Sequence, residues 1–547
     1  MVKESVQTQF NMSFLWLICF VAAMGGLLFG YDWVVIGGAK MFYEPFFDIG
    51  GNVKLQGWAM SSALLGCLAG AVVSGALADR FGRKPLLILA AALFTISAIG
   101  TGLAENFMMF NVYRIIGGIG IGLASNLSPM YIAEVAPAHL RGRFVSINQL
   151  TIVIGVLAAQ LVNLQIAQPV PSGDDLRLLN SDSDIIMQLY ANEEGFDLKE
   201  KRHSIEAMLD KQAYAAVLEA YPDLTADVID KENKDAVAAY EKENNAISSS
   251  YINETWNGQK GWRWMFGAET VPALLFFLLM CFLPESPRWL ITKGRLDQAN
   301  KILTRVGGQA FAEFEVNDIG STINAEAGQG VNYGELFSGK LFKILCLGMF
   351  LAFFQQWCGI NVIFNYAQEI FAAAGYELNG TMDNIVATGI VNLVFTFVGI
   401  FTVDKLGRRF LMVYGFGGLA VIYALLGSCY YYKNVMGGDI QGWVMLVLVL
   451  VAIAFYSMSL APVTWVLISE IFPNRIRGAA VSISVFTLWV GCWLLTNYFP
   501  KMNKALGAHG AFWVFGGICV IGFVVLLIAL PETKNKSLEE IERELIG

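Results

Sequence analysis

Of the 547 residues only 15% are charged, while 56% are hydrophobic and 13% aromatic, a balance that departs from soluble domains, where about a quarter of residues carry charge. The net charge of −8 is unevenly spread: residues 171–260 hold nine Lys and Arg against nineteen Asp and Glu, which leaves the remainder at +2. Such a composition belongs in lipid and excludes a water-soluble enzyme.

Twelve apolar runs come near the ~20 residues that a helix needs to cross a hydrocarbon core of about 30 Å. They span 13–36, 56–78, 85–104, 109–132, 144–167, 263–283, 341–373, 383–404, 410–432, 440–468, 478–500 and 510–530. The first is too long and Gly-rich for a removable leader, and no small-residue cleavage site follows it. It carries Asp32 in a Gly30-Tyr31-Asp32 turn, and the fourth run carries Arg114. Ionisable groups at membrane depth are costly and therefore functional by default. Burial favours a protonated carboxyl and a neighbouring guanidinium favours the carboxylate, so an Asp that gains and loses an Arg partner binds and releases a proton. A static structural pair is the alternative reading. Glu269 in the sixth run is expected to modulate the Asp32–Arg114 pair.

Lys and Arg cluster after even-numbered runs: Arg80, Arg83 and Lys84, then Arg141 and Arg143, Lys405, Arg408 and Arg409, and Arg475 and Arg477. Short basic loops stay cytoplasmic, which places both termini inside. Residues 168–260, between the fifth and sixth runs, then lie outside; helical spacing over 184–190 and 205–219 predicts a small helical cap there. Residues 285–340 read as short amphipathic helices on the inner side. In the seventh run Gln355, Gln356 and Asn361 fall at i, i+1 and i+6, roughly on one side of a helix. Unpaired amides cannot face lipid, so they face protein or a cavity. They suit a hydroxyl-rich ligand, because each offers donors and an acceptor together; hydrogen bonding between helices is the plainer alternative.

The eight cysteines all sit inside apolar runs without metal-site spacing, and His139, His203 and His509 are scattered over loops. No nucleophile, metal cluster or phosphate-cradling loop is in view, so neither an enzyme nor a cofactor is expected.

The chain repeats itself. Asp79-Arg80-x-Gly82-Arg83-Lys84 returns as Asp404-Lys405-x-Gly407-Arg408-Arg409, Glu134-x-x-Pro137-x-x-x-Arg141-Gly142 as Glu470-x-x-Pro473-x-x-x-Arg477-Gly478, and Pro284-Glu285-Ser286 as Pro531-Glu532-Thr533. The same three marks in the same order predict two parallel six-helix halves around a central cavity. The acid-and-base sets, Asp79, Arg83, Glu134 and Arg141 with Asp404, Arg408, Glu470 and Arg477, are expected to gate the inner mouth; topology anchoring alone does not account for duplicated acids.

These motifs, with Pro284-Glu-Ser-Pro-Arg-Trp289, Gln355-Gln356-x-x-Gly359-Ile360-Asn361 and Pro531-Glu-Thr-Lys534, resemble the sugar-porter family of the major facilitator superfamily, and within it the bacterial D-xylose/proton symporters. The resemblance covers nearly the whole chain except 168–260. It implies an all-α polytopic membrane protein of the major facilitator fold: twelve transmembrane helices in two six-helix pseudo-symmetric bundles, an intracellular helical domain and an extra extracytoplasmic helical insertion. Its parts are 1–167 (helices 1–5), 168–260 (insertion), 261–284 (helix 6), 285–340 (intracellular linker), 341–530 (helices 7–12) and 531–547 (tail). It adds Gln149, Asn392 and Trp465 to the substrate pocket with Gln355, Gln356 and Asn361, and Phe29 and Trp489 are expected to line it too. Trp465 follows the helix-breaking stretch Ala461-Pro462-Val463-Thr464. Three positions depart from the family pattern: Asn365 stands where a gating Tyr is usual, and Leu488 and Val156 where amides occur.

The expected function is symport of a monosaccharide, pentose or hexose, with a proton, the carboxylate and the amides meeting in one water-accessible vestibule. A facilitative uniporter and a non-transporting sugar sensor are the alternatives. The expected partners are the sugar, the proton and membrane lipid, with no nucleic acid; the chain is expected to work as a monomer in the cell membrane, bacterial inner membrane by resemblance.

Overall fold

A computed structural model describes residues 10–137, 140–168, 252–253, 255–326, 339–376, 378–436, 440–473 and 476–534. Among these residues there are helices and no strand. The first half comprises α1 (Met12–Phe46), α2 (Val53–Phe81), α3 (Arg83–Gly102), α4 (Phe107–Val135), α5 (Arg141–Ile166), α6 (Trp262–Gly267) and α7 (Thr270–Phe282). Three short helices follow, α8 (Pro287–Thr292), α9 (Leu296–Gly307) and α10 (Gln309–Glu326). The second half comprises α11 (Gly339–Trp357), α12 (Ile360–Asn365), α13 (Ala367–Ala373), α14 (Leu378–Leu406), α15 (Arg408–Asn434), α16 (Gly442–Met458), α17 (Leu460–Glu470) and α18 (Arg477–Ala529). The helical cap expected within 168–260 lies outside the described residues, as do 327–338 and the tail beyond 534; Thr255 Oγ1 donates to the Ile252 carbonyl (2.7 Å) in the short turn that is described.

Among the described residues, eleven helical segments are long and apolar enough to cross a bilayer. The last two predicted runs are continuous in α18, which holds 53 residues and leaves helical geometry only at Gly507 (φ 66°, ψ 174°). Their connection, Lys501-Met-Asn-Lys-Ala-Leu506, is rich in good helix formers, so it continues as helix to the kink instead of forming a loop. A second difference concerns Gly30-Tyr31-Asp32, which is uninterrupted helix and not a turn. Gly30 serves a close approach: a Cβ there would lie 1.8 Å from the Ile152 carbonyl oxygen of α5.

Other predicted runs are broken. The seventh stops at Gly359 (φ 89°) and again at Tyr366 between α12 and α13. The tenth breaks at Ser459, just before the Ala461-Pro462 stretch, giving α16 and α17. Three helix starts carry side-chain caps that satisfy exposed amides: Asn11 accepts from Phe14 N (3.1 Å), Asn52 from Lys54 N (3.1 Å) and Asn106 from Met109 N (2.9 Å).

The sequence repeat becomes a repeated cluster. Backbone amides of Arg83 and Lys84, the first residues of α3, donate to the Glu285 carboxylate (3.0 and 3.1 Å); those of Arg408 and Arg409, opening α15, donate to Glu532 (3.0 and 3.1 Å). A carboxylate at a helix N-terminus meets both unpaired amides and the positive end of the dipole. Gly82 (φ 98°) and Gly407 (φ 93°) make room for it, since a Cβ would come within 2.4 Å of Glu285 and 2.6 Å of Glu532. Arg83 pairs with Glu134 (2.9 Å), which accepts from Ser286 Oγ (2.5 Å); Arg408 pairs with Glu470 (3.5 Å), which accepts from Thr533 Oγ1 (2.7 Å). Around the first cluster, α8–α10 build a small apolar core from Trp289, Leu290, Ile291 and Ala299, and Trp289 Nε1 donates to the Asp79 carbonyl (3.1 Å).

The caps predict that Glu285→Ala and Glu532→Ala each lower the thermal unfolding temperature of detergent-solubilised protein, by a loss of about 1.5–3 kcal/mol for charge-assisted hydrogen bonds, and that Glu→Gln restores only part of it.

Candidate functional site

Between the two halves lies a cavity of about 130 Å³. Its walls include Phe29, Gln149, Gln355, Gln356, Asn361, Asn392, Trp465 and Trp489, which are all eight residues that the sequence reading assigned to substrate. The polar groups belong mostly to one wall. Gln355 Nε2 donates to Tyr456 Oη (2.6 Å), Gln356 Nε2 donates to Gln355 Oε1 (2.5 Å), and Asn361 Nδ2 donates to Gln356 Oε1. Ser457 Oγ donates to Asn392 Oδ1 (2.6 Å). These bonds tie α11, α12, α14 and α16 together, so the amides both hold the second half and turn their remaining capacity to the cavity. From the first half only Gln149 offers an amide; Gly30, Val34, Ile152, Val153 and Val156 are apolar.

An aromatic corner joins the halves. Phe29 and Trp33 of α1 lie 6.0 Å apart, and Trp489 of α18 lies 5.8 Å from Phe29 and 6.1 Å from Trp33, centroid to centroid. Trp489 Nε1 is buried without a hydrogen-bond partner among the described residues. Trp33, Phe364 and Tyr456 were missed by the sequence reading; Trp33 could have been found as i+4 from Phe29 on the same helix face. Of the three departures, Val156 and Leu488 line the cavity, whereas Asn365 does not.

Asp32 does not line the cavity either. It is 1% exposed on another side of α1 and forms an ion pair with Arg114 of α4, itself 2% exposed. Arg114 Nη2 also donates to the Asp32 carbonyl (3.4 Å), and its guanidinium lies 5.5 Å from the Phe266 ring. Glu269, at the joint between α6 and α7, is likewise buried, and its Oε1 has no partner among the described residues. Carboxylate and amides therefore do not share one vestibule. A second hollow, of about 10 Å³, lies beside Arg114 and Asn365, and Trp33 belongs to the walls of both. The physical reason is helical phase: Phe29, Gly30, Trp33 and Val34 of α1 line the cavity, and the middle of that arc lies about 130° from residue 32.

The predicted gating residues separate into two groups. Arg83, Glu134, Arg408 and Glu470 form the clusters described above, with Asp79 exposed and 3.5 Å from Arg83. Each pair joins helices of one half, so the clusters brace the halves individually. Arg141 is exposed at the first residue of α5. The side chains of Asp404 and Arg477 lie outside the described residues.

Two halves of apolar helices, meeting at a cavity with an amide wall and an aromatic corner, define a membrane transporter of the major facilitator fold. The family model for sugar (and other) transporters matches residues 18–177 and 245–545, and the chain belongs to that family. The D-xylose-proton symporter of Escherichia coli (strain K12) is 34% identical, with 98% of this chain and 97% of that protein covered. The arabinose-proton symporter of Bacillus subtilis (strain 168) is 33% identical, covering 97% and 95%. Among solved structures, the partially occluded inward open conformation of the xylose transporter XylE from E. coli superposes with a TM-score of 0.71 at 31% identity, covering 96% of this chain and 100% of that one.

Removing one member of a buried ion pair strands the other charge. Arg114→Leu is expected to destabilise the fold by about 3–5 kcal/mol, and Asp32→Asn added to it is expected to recover most of that loss, as read from thermal unfolding of the purified variants.

Proposed function

We propose that this protein is a proton-coupled monosaccharide symporter that works by alternating access. The observation that carries the reading is the cavity itself, in which four amides of the second half and Gln149 of the first surround a space closed at one corner by Phe29, Trp33 and Trp489. A void needs about 10–15 Å³ on the same scale to admit a water, so this one holds roughly ten small groups, the size of a single sugar ring. Hydroxyls take the amides and the buried indole N–H of Trp489, and the C–H face lies on an aromatic plane. The relatives named for xylose, arabinose and protons support this choice of substrates.

Twelve crossings are proposed, with α18 counted as two joined at Gly507, both termini cytoplasmic and the basic loops inside; bacterial relatives favour the inner membrane, with the monomer as the working unit. The divisions 1–167, 168–260, 261–284, 285–340, 341–530 and 531–547 are retained as its parts. Ligand bonded to the amide wall and to Gln149 draws the halves together, so binding energy is converted into closure. Asp32 is the proton carrier: once protonated, it no longer holds Arg114 by charge, and α1 and α4 can shift. Glu269 tunes that exchange from the α6–α7 joint. The clusters at Arg83–Glu134 and Arg408–Glu470, with Asp79, Arg141, Asp404 and Arg477, set the inner gate by holding each half and its linker rigid.

Asp32→Asn in proteoliposomes should abolish accumulation against a gradient while sugar exchange persists; accumulation by this variant would refute the coupling. Sugar addition to wild-type vesicles should alkalinise the outside, and its failure to do so together with intact downhill uptake would favour a uniporter. Gln356→Ala, which removes an amide from the wall, should raise the KM for uptake about tenfold or more.

A further inference from the structure

Outside the sites just described, buried charge gathers at the end of the bundle opposite the basic loops. Lys40 is 2% exposed on α1, about two turns before the helix ends. Its ammonium pairs with Glu44 on the same helix (3.5 Å) and with Glu369 of α13, in the other half. It also lies 4.9 Å from the centroid of Tyr366, whose hydroxyl donates to the Thr496 carbonyl (2.6 Å). Gln56 of α2 donates to the second oxygen of Glu44 (3.0 Å). Gly37, Lys40 and Glu44 fall at i, i+3 and i+7, one face of α1. At Gly37 that face is bare: a Cβ would come to 2.7 Å from the Phe364 carbonyl oxygen, so only glycine lets α12 sit this close. Neighbouring contacts join the halves at the same end, Asn497 Nδ2 donating to Ser61 Oγ (3.0 Å) and Gln160 Nε2 to Thr388 Oγ1 (3.2 Å).

We infer that Lys40 is an outer latch, a positioning residue whose ion pair with Glu369 holds the extracytoplasmic mouth shut around Gly37; the sidedness and the opening motion rest on the transport reading above. Lys40 and Glu44 ride on the first half and stay together in every state, whereas Glu369 rides on the second. The Lys40–Glu369 attraction therefore exists only when this end is closed, and an interaction present in one state alone shifts the equilibrium between states by its full strength. Remove Lys40 and the sign changes, because Glu44 and Glu369 are then two like charges held in one partly buried place. Remove Glu369 and only the attraction is lost, with Lys40 still paired to Glu44. Neutralising the cation must consequently open the mouth more than neutralising the anion across from it. A residue that merely filled space would not produce that ranking.

Spin labels on Lys54→Cys and Lys501→Cys, in a background freed of native cysteines, report the width of this mouth by double electron–electron resonance on the full chain in nanodiscs. Lys40→Met is expected to raise the ratio of wide to narrow distances about tenfold, Glu369→Gln by a smaller factor, and Lys40→Arg to leave it near wild type. The exchange Lys40→Glu with Glu369→Lys keeps one cation against two carboxylates and is expected to restore the narrow population. Unchanged distances in Lys40→Met and Glu369→Gln, or an exchanged pair that stays wide, overturn the latch. Counterflow of labelled sugar by wild-type proteoliposomes, run alongside, tests the transport reading alone: its failure with the ranked distances intact removes the sugar and keeps the latch.

Discussion

A polar side chain inside a bundle that faces lipid has no water to fall back on, and several such groups here are answered by a group on another helix. The amide run from Asn361 through Gln356 and Gln355 to Tyr456 ties α12 and α11 to α16, and Asn392 with Ser457 ties α14 to α16. Asp32 with Arg114 ties α1 to α4, and Lys40 with Glu369 ties α1 to α13. Polar residues thereby act as bolts, and their distribution separates contacts that hold one half together from contacts that join the two. The clusters at Glu285 and Glu532 are of the first kind, bonded to the starts of α3 and α15 within their own halves. The pairs at Lys40, Ser61 and Gln160 are of the second kind.

The two halves repeat their motif clusters with closely similar geometry but differ at the cavity. The second supplies Gln355, Gln356, Asn361 and Asn392, while the first supplies Gln149 and a largely apolar face. A ligand with one hydroxyl-rich side and one hydrocarbon side is held only when both walls reach it. Under the proposed mechanism, that asymmetry makes the ligand part of the joint between the halves, because neither wall alone satisfies it.

Much of this was legible in the sequence, and the parts that were not have definable causes. The apolar runs, the repeated acid-and-base marks and the three amides of the seventh run are local or periodic signals, and the cavity gathers all eight residues named for it. What the pattern does not encode is helical phase relative to other elements. Asp32 was expected beside the amides and is found behind α1, because residue number gives position along a helix but not which neighbour its side faces. Lys40 and Glu369 lie over three hundred residues apart in no motif; the available signal was only a charge inside or beside an apolar run. Glu285 and Glu532 were visible as repeats, yet their work as caps depends on glycines with positive φ that bring the carboxylates to the helix ends. The near-continuity of the last two runs, whose helices meet at a kink at Gly507, escaped for the opposite reason, since a polar stretch of good helix formers reads as a loop when only hydropathy is followed.

Under the proposed mechanism, these placements make α1 the element on which coupling turns. It is an unbroken helix of 35 residues, about 52 Å long. One face presents Phe29 and Trp33 to the cavity, another carries Asp32 to Arg114, and toward its far end Gly37, Lys40 and Glu44 meet the broken seventh run. Sugar and proton, as proposed, share no contact and have no need of one. A stiff rod cannot rotate or tilt at residue 29 without moving residues 32 and 40, so any group that favours one position of α1 biases all three contacts together. Under the proposed mechanism, coupling arises if α1 has two positions that each site biases, the physical condition for linkage between separate sites. The Gly30 approach to Ile152 packs α1 closely against α5, while its ion pairs face α4 and α13 of the second half.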